Sequence, residues 1–287
     1  MVANADLGES FAQRLRSMIP ATIVIPAMTA LGMAIGSHRW VTVAVGAVVI
    51  LVGGFIAAVG REAALFGTFF AIAFVVGVGV ARAPGLTEAE VALPMVGGGL
   101  LAIALSGLQV LLVEHRPHEP PEPWSTVPKR LADGLRDPVL MRQAIGMALA
   151  GAIGLAVVPF THQSNGAWLV TGALMVFKPG HGETIKVALT RAVATIFGAA
   201  LAGGIAALTS QPWVLLVLAL ALTWCAEAVV RRSFAVFVLL ITPLSILLTN
   251  VLVPGDWEVA YLRVADVAAG SALAIVTSTL LRAWRPR

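Results

Sequence analysis

Residues 168–198 read WLVTGALMVFKPGHGETIKVALTRAVATIFG, and this stretch decides the fold. An apolar run stops at Lys178-Pro179-Gly180, and a second, longer apolar run begins a few residues later. A helix that crosses a bilayer needs about 20 apolar residues. The first run is shorter than that, so the sequence predicts a shortened or broken helix followed by a spanning one.

The composition excludes most classes of soluble protein. Of the 287 residues, 59% are hydrophobic and 12% are charged, whereas a soluble domain has about 45–50% apolar and about 25% charged residues. These charged residues are too few to form the surface of a soluble globule of this size. The solvent around the protein must therefore be lipid. This excludes a cytosolic enzyme, a secreted disulfide scaffold, a disordered chain and a nucleic-acid module. The single cysteine, Cys225, lies in an apolar run and cannot form a disulfide within the chain.

Ten apolar segments follow one another along the chain. Sustained apolar runs predict helices, because the strands of a lipid-facing barrel show a weaker alternation of polar and apolar residues. The predicted fold class is all-α, a polytopic integral membrane protein of about ten transmembrane helices. The segments are 18–36, 41–60, 63–81, 91–113, 142–160, 167–177, 185–208, 213–230, 233–252 and 259–281.

The positive charges predict the orientation of these helices. With ten spans and a cytoplasmic N-terminus, 16 of the 19 Lys and Arg residues fall on the inner side, and Arg39, Arg82 and Arg263 fall outside. Such a bias is typical of membrane proteins. Omitting segment 167–177 would destroy the pattern, so this short segment must return the chain across the membrane. The sequence predicts a multi-pass protein of the inner (plasma) membrane with both termini in the cytoplasm.

The chain divides into two membrane halves. Residues 1–113 form the first half with about four helices, and residues 142–287 form the second half with about six. Between them, residues 114–141 are rich in proline and then basic, which is typical of a cytoplasmic linker.

A weak internal repeat connects the halves. Arg14 precedes Trp40 by 26 residues, and Arg142 precedes Trp168 by the same 26. Four spans separate the two copies, so the spacing predicts two parallel repeats about an axis along the membrane normal, an arrangement found in transporters. The alternative is coincidence among segments that all carry flanking Arg and Trp.

Two helices carry an arginine and a glycine on one face. Gly198 follows Arg191 by seven residues, and Gly270 follows Arg263 by the same interval, which is two helical turns. Glycine and its small neighbours allow another helix to come close. This face is therefore predicted to pack against protein and to hold each arginine toward the interior of the bundle.

These residues resemble the motifs of the fusaric acid resistance and aromatic acid exporter superfamily of membrane transporters. Members show a Trp at a helix start, a Pro-Gly break, a helix with R…GT…G and a closing helix with R…DT…G. Here Ala194 replaces the first motif's Gly, and Val267 replaces the second motif's Thr. The opening DPVLMRQAIGMALA, from Asp137, is also similar. The resemblance covers residues 137–281 well and residues 1–113 only generally. It implies efflux of small organic anions, aromatic carboxylates in particular.

An ionisable residue within a span is costly and is usually functional or paired. One interpretation is that Arg191, with Lys178 and His181 at the cytoplasmic mouth, binds a carboxylate, because the guanidinium fork matches two carboxylate oxygens. The interrupted helix supports this interpretation, since such breaks expose backbone groups to polar ligands; the alternative is an ordinary turn. The predicted substrate-binding residues are Arg191, Lys178, His181, Thr184 and Thr195.

The other interpretation of these charges is structural ion pairs. Arg191 and Glu227 fall at similar depth on neighbouring helices. Arg263 and Asp266 are three residues apart on one helix face, where they can pair or gate a path. His181 and Asp266 are the candidates for proton coupling. The predicted helix-packing residues are Gly198, Gly270 and Pro179.

The predicted function is membrane transport. No zinc-protease, phosphate-loop, dinucleotide or serine-hydrolase signature occurs, so we expect no enzyme activity, cofactor or metal. The expected partners are a small organic anion and the lipid bilayer, without nucleic acid. The small residues Gly146, Ala150 and Gly154 favour a homodimer. The alternatives are an organic-anion channel and a non-transporting scaffold of an envelope assembly; a scaffold would have no polar cavity around Arg191.

Overall fold

The computed structural model describes residues 11–81, 85–112, 124–157, 167–229, 232–252 and 258–283, and their regular structure is entirely helical. Short 3-10 turns cover Ala57–Val59 and Trp124–Thr126. The α-helices are α1 (Phe11–Ile35), α2 (Arg39–Ile56), α3 (Arg61–Val80), α4 (Glu88–Leu112), α5 (Val127–Arg136), α6 (Pro138–Val157), α7 (Ala167–Val176), α8 (His181–Leu208), α9 (Pro212–Val229), α10 (Phe234–Leu252) and α11 (Glu258–Ala283).

Each of the ten predicted segments corresponds to a helix, which confirms the all-α polytopic fold. Within the described chain, seven helices are long and apolar enough to cross a membrane. The starts differ most where charges open a helix: α6 begins at Pro138 because Pro fits the first turn and the Asp137 side chain accepts a hydrogen bond from the Val139 backbone N, at 2.8 Å. Helix α8 begins at His181, with Glu183 in its first turn.

Helix α5 lies within the predicted linker and holds it against the first half. The Arg130 Nη1 atom donates a hydrogen bond to the Val59 carbonyl oxygen at 2.9 Å, just beyond the end of α2. Gly134 is buried against Ala58. The basic part of the linker is therefore a docked helix. The proline-rich residues 114–123 lie outside the described residues.

The two halves meet through α2 and α6, which pack along each other. Small residues bring these helices together: a Cβ added at Gly54 would lie 2.8 Å from the Ala144 Cα. The main apolar core continues from this contact into α3 and α7, around Ile50, Phe74 and Val170. This packing gives the bundle one continuous interior.

The predicted dimer residues belong to that interior. Gly146 contacts the Phe177 ring, Ala150 is fully buried, and Gly154 contacts Val170. The small-residue face of α6 therefore packs against the rest of its own chain. It is not an exposed surface on which a second copy could pack, as the homodimer prediction assumed.

Helix pairing differs between the halves. Helix α1 packs against α3 and α4, whereas α6, its counterpart in the proposed repeat, packs against α2, α7 and α11. The parallel repeat stays a prediction from the spacing of Arg and Trp.

One end of the second half is rich in basic side chains. The His181 Nδ1 atom lies 2.9 Å from the Ser278 Oγ atom, so the start of α8 and the end of α11 lie together. Arg142, Lys178 and Arg282 line a cavity at the same place. We call this the basic end of the bundle.

Candidate functional site

The break between α7 and α8 is held by one buried threonine. The Thr184 hydroxyl accepts a hydrogen bond from the Lys178 backbone N at 3.0 Å, and it lies 3.2 Å from the carbonyl oxygens of Lys178 and Gly180. Thr184 is fully buried. Its hydroxyl satisfies the backbone groups that the interruption leaves without helical partners. We therefore reassign Thr184 from substrate contact to the residue that positions the break.

Helix α7 lies beside the middle of α11 at very short range. Its 10 residues rise only about 15 Å, half a bilayer. A Cβ added at Gly270 would clash with the Leu169 carbonyl oxygen and lie 2.9 Å from the Ala173 backbone N. Gly172 faces Val267 of α11. These glycines bring the two backbones close enough for side chains to interlock across the contact.

Arg263 is stacked on a tryptophan. Its guanidinium carbon lies 3.8 Å from the centroid of the Trp168 ring, at the start of α7, and the residue is 5% exposed. The predicted ion pair with Asp266 is not formed, because the guanidinium lies against α7 instead. Asp266 is half-buried on α11. Cation–π stacking leaves the in-plane N–H groups of an arginine free to donate.

Arg191 is buried in α8, eleventh of its 28 residues. It is 5% exposed, and its Nε and Nη1 atoms have no hydrogen-bond partner. The side chain of Glu227, its predicted partner, lies outside the described residues. Arg191 is close enough to Arg263 for the two charges to repel each other. The structure thus brings together two arginines that the sequence placed 72 positions apart.

Among the described residues, buried polar atoms without a hydrogen-bond partner also occur on α7 and α11. They are the Thr171 Oγ1 atom on α7, and the Ser271 Oγ and Arg263 Nε atoms on α11. We call the two buried arginines, Arg191 and Arg263, the arginine cluster. Each buried polar group without a partner costs about 1–3 kcal/mol. Within the described chain, no carboxylate lies within ion-pairing distance of either arginine. Among the residues that the structure describes, the cluster is a buried positive centre without a compensating charge.

A cavity of about 400 Å³ opens at the basic end. Its basic side chains are Arg142, Lys178, His181 and Arg282, with Glu183 the one described carboxylate among its lining residues. Burial lowers the pKa of Lys178, and the neighbouring Glu183 carboxylate partly offsets this. The cavity does not reach Arg191. We call it the basic-end cavity.

The orientation of His181 follows from its serine partner. The Ser278 hydroxyl donates to the Ile275 carbonyl oxygen at 2.9 Å, so its single proton is used. The Ser278 oxygen can then accept a hydrogen bond from the His181 Nδ1 atom, in the tautomer that carries the hydrogen there. His181 holds the first turn of α8 against α11 and lines the basic-end cavity.

The predicted site residues fall into two separate places. Arg191 is in the arginine cluster, and Thr195 is buried one turn further along α8. Lys178 and His181 line the basic-end cavity instead. Pro179 was predicted to pack between helices, but it is exposed at the wall of the same cavity. Sequence reasoning did not single out Phe177 or Arg282, which line the cavity. An isolated Phe in an apolar run carries no local signal, and Arg282 served only as a charge that sets the topology.

The remaining predicted packing residue contacts a different helix. A Cβ added at Gly198 would lie 2.8 Å from the Thr242 Cβ and 2.9 Å from the Leu239 carbonyl oxygen, both on α10. Helix α8 therefore packs against both α10 and α11, and Arg191 is close enough to Arg263 of α11 for their charges to interact.

The helices that carry the arginine cluster lie in the part of the chain that resembles a known family. Residues 145–277 match the family model described as fusaric acid resistance protein-like. This part of the chain is therefore similar to that family. The fusaric acid resistance-like segment contains α7, α8, α9, α10 and most of α11, and the match confirms the resemblance drawn from the residues. The match supports a function in membrane transport. No curated protein and no solved structure matches the chain.

Proposed function

We propose that the protein exports small organic anions, aromatic carboxylates in particular, across the inner membrane. The observation that carries this proposal is the arginine cluster, in which two buried guanidinium groups repel each other and no described carboxylate compensates them. A bound carboxylate would supply the missing charge and accept hydrogen bonds from the unpartnered N–H groups. Arginine suits this role because its donors form a rigid fork.

The two arginines lower the cost of moving an anion through the bilayer. A bare charge at the centre of a membrane costs several kcal/mol or more. Arg191 and Arg263 lie on different helices of the segment, α8 and α11, and Trp168 fixes one face of the Arg263 guanidinium. A carboxylate between them would exchange its hydration shell for fixed donors, as required of a binding site inside a membrane.

The proposed direction follows from the charges of the basic end. We place this end in the cytoplasm, because 16 of the 19 Lys and Arg residues fall on that side of the predicted topology. Both termini are then cytoplasmic. An interior-negative potential favours outward movement of an anion by about 2.3 kcal/mol per charge per 100 mV. Export of a monovalent anion therefore needs no coupled proton.

A flux measurement on proteoliposomes tests the proposal. We expect efflux of radiolabelled benzoate from liposomes containing the protein and an imposed potential, and at least about tenfold less for Arg191→Gln and Arg263→Gln, a loss of about 1.4 kcal/mol or more. Arg232→Gln is the matched control, because Arg232 is an exposed arginine between α9 and α10. Flux equal in all variants would contradict the proposal.

A non-transporting membrane scaffold is the second candidate function. It is favoured by one observation: the described cavities at the basic end do not reach Arg191, which is packed among buried residues. A scaffold predicts no benzoate flux above that of empty liposomes under any gradient. A channel predicts flux that reverses at the anion's equilibrium potential, and the same assay at varied voltage separates it from a coupled exporter.

A further inference from the structure

The basic-end cavity and the arginine cluster lie at different depths of the same three-helix contact. The bond between His181 and Ser278 sets the level of the cavity on α8 and α11. Arg191 follows His181 by ten residues, which places it about 15 Å deeper at 1.5 Å per residue. Ala188 and Ala274 lie between these levels and are 1% and 0% exposed. A dry layer therefore separates the two positive centres.

Phe177 closes the cavity on the side of this layer. It is the first residue after α7, it lines the basic-end cavity, and it is 4% exposed. Its ring packs on Gly146 of α6; a Cβ added there would lie 2.7 Å from the ring atom Cε1. Phe177 belongs to the same apolar cluster as Ala188 and Ala274. The Phe177 ring thus packs between α6 and the apolar layer, beside Leu281 of α11.

We infer that the basic-end cavity is a second anion site in series with the arginine cluster, and that the Phe177 ring is the barrier between them. This inference rests on the proposed function for the identity of the anion. The Thr184 side chain ties the break that carries Phe177 to α8, through Lys178 and Gly180. A rotation of the ring away from Gly146 opens the layer without unfolding either helix.

The chemistry of the cavity fits an anion with an apolar body. Arg142, Lys178 and Arg282 face one carboxylate, Glu183, so the described lining carries a net positive charge. The Arg142 Nε atom donates to the Pro138 carbonyl oxygen at 3.0 Å, which fixes this guanidinium at the start of α6. Val139, Phe177 and Leu281 supply apolar contact. The volume of about 400 Å³ falls within the range of small-ligand pockets, about 300–1,000 Å³.

Cysteine accessibility tests the barrier without measuring transport. The only native cysteine is the exposed Cys225, so Cys225→Ser gives a background without thiols. Gln143→Cys reports on the cavity, which Gln143 lines, and Thr195→Cys reports on the level beyond Arg191. The probe is 2-sulfonatoethyl methanethiosulfonate, an anionic reagent that does not cross bilayers, applied to inverted membrane vesicles. Benzoate serves as the competing anion.

We expect the Gln143→Cys variant to react readily and the Thr195→Cys variant to react at least about tenfold more slowly, because modification requires access to the thiolate. Adding Phe177→Ala, or the milder Phe177→Leu, should raise the rate at Thr195→Cys at least about tenfold and leave Gln143→Cys unchanged. Phe74→Ala, which truncates a fully buried Phe of α3 in the first half, is the matched control and should not raise it.

Benzoate should slow modification of Gln143→Cys, and Arg142→Gln with Arg282→Gln should remove that protection. Three results would overturn the inference: fast modification of Thr195→Cys with Phe177 in place, no acceleration in either folded Phe177 variant, or no protection by benzoate. The modification rates do not measure transport, so they test the inference and not the proposed function. The proposed function fails separately, if the Arg191 and Arg263 variants transport benzoate normally.

Discussion

The guanidinium of Arg263 on α11 lies 3.8 Å from the centre of the Trp168 ring on α7. Two turns further along α11, Gly270 brings the two helices close together. The stack fixes a buried charge without neutralising it, because the ring offers a π face and no anionic oxygen. An ion pair with Asp266 would have cancelled the charge instead. The stack on Trp168 therefore holds Arg263 in place and leaves its charge without a described counter-charge.

We predict that Trp168→Leu weakens substrate binding without abolishing transport. Loss of a desolvated cation–π contact, about 0.5–2 kcal/mol, raises the KM for benzoate about 2- to 30-fold. Trp168→Phe keeps a weaker aromatic face and should fall between. Flux against benzoate concentration measures the effect, with Trp213→Leu, at a 67% exposed tryptophan, as the control. An unchanged KM in Trp168→Leu would show that the stack does not position Arg263.

We predict that Arg191→Met stabilises the protein while it eliminates transport. Replacing a buried arginine that has no described counter-charge by an apolar side chain removes two unsatisfied donors and the repulsion of Arg263. Replacements of buried ionic groups by apolar ones are often neutral or stabilising, by about 1–4 kcal/mol. Thermal unfolding in detergent measures this change.

Thermal unfolding of Arg191→Met also distinguishes an arginine that binds substrate from one that forms a structural ion pair. If Arg191 holds an ion pair with Glu227, Arg191→Met leaves a buried carboxylate alone and destabilises the protein by about 3–5 kcal/mol. A large loss of stability in Arg191→Met, reversed by adding Glu227→Gln, would therefore contradict the role proposed for this arginine.

The apolar composition predicts the helices of this protein. The residues of the candidate site are too far apart in the sequence for local spacing to predict their contacts. Ten apolar segments predict ten helices because bilayer thickness fixes their length, and Lys178-Pro179-Gly180 predicts the break because Pro and Gly end helices. The contact between Trp168 and Arg263 joins residues 95 positions apart, so no local spacing predicts it. The i, i+3 spacing of Arg263 and Asp266 instead favoured a pair that does not form.

Small residues show the other limit of sequence reasoning. The stripe of Gly146, Ala150 and Gly154 correctly predicts a close helix contact. A periodicity cannot tell a neighbour in the same chain from one in a second copy, and here the neighbours are α2, α7 and the break after α7. The position of Phe177 over Gly146 depends on that contact, so the barrier was also beyond prediction.

We predict that Gly270→Ala is strongly destabilising. The added Cβ would clash with the Leu169 carbonyl oxygen of α7, and backbone cannot move away as a flexible side chain can. Overpacking of this kind costs about 1–3 kcal/mol or more. Gly203→Ala on α8 is the matched control, since no atom lies within 4 Å of its Cβ, and it should gain about 0.5–1 kcal/mol of helix propensity. Equal stability of the two variants would show that α7 and α11 are not in close contact.

We predict that Thr184→Val loosens the break between α7 and α8, whereas Thr184→Ser preserves it. Valine has the shape of threonine but cannot accept from the Lys178 backbone N or donate to the carbonyl oxygens of Lys178 and Gly180. Buried backbone groups left without partners cost about 1–3 kcal/mol each. Hydrogen exchange measures the effect: amide protection at Lys178 should fall in Thr184→Val and stay high in Thr184→Ser. Equal protection in the two variants would mean that the backbone of the break is held by something other than this hydroxyl. Thr184 would then not be the residue that ties the segment carrying Phe177 to α8.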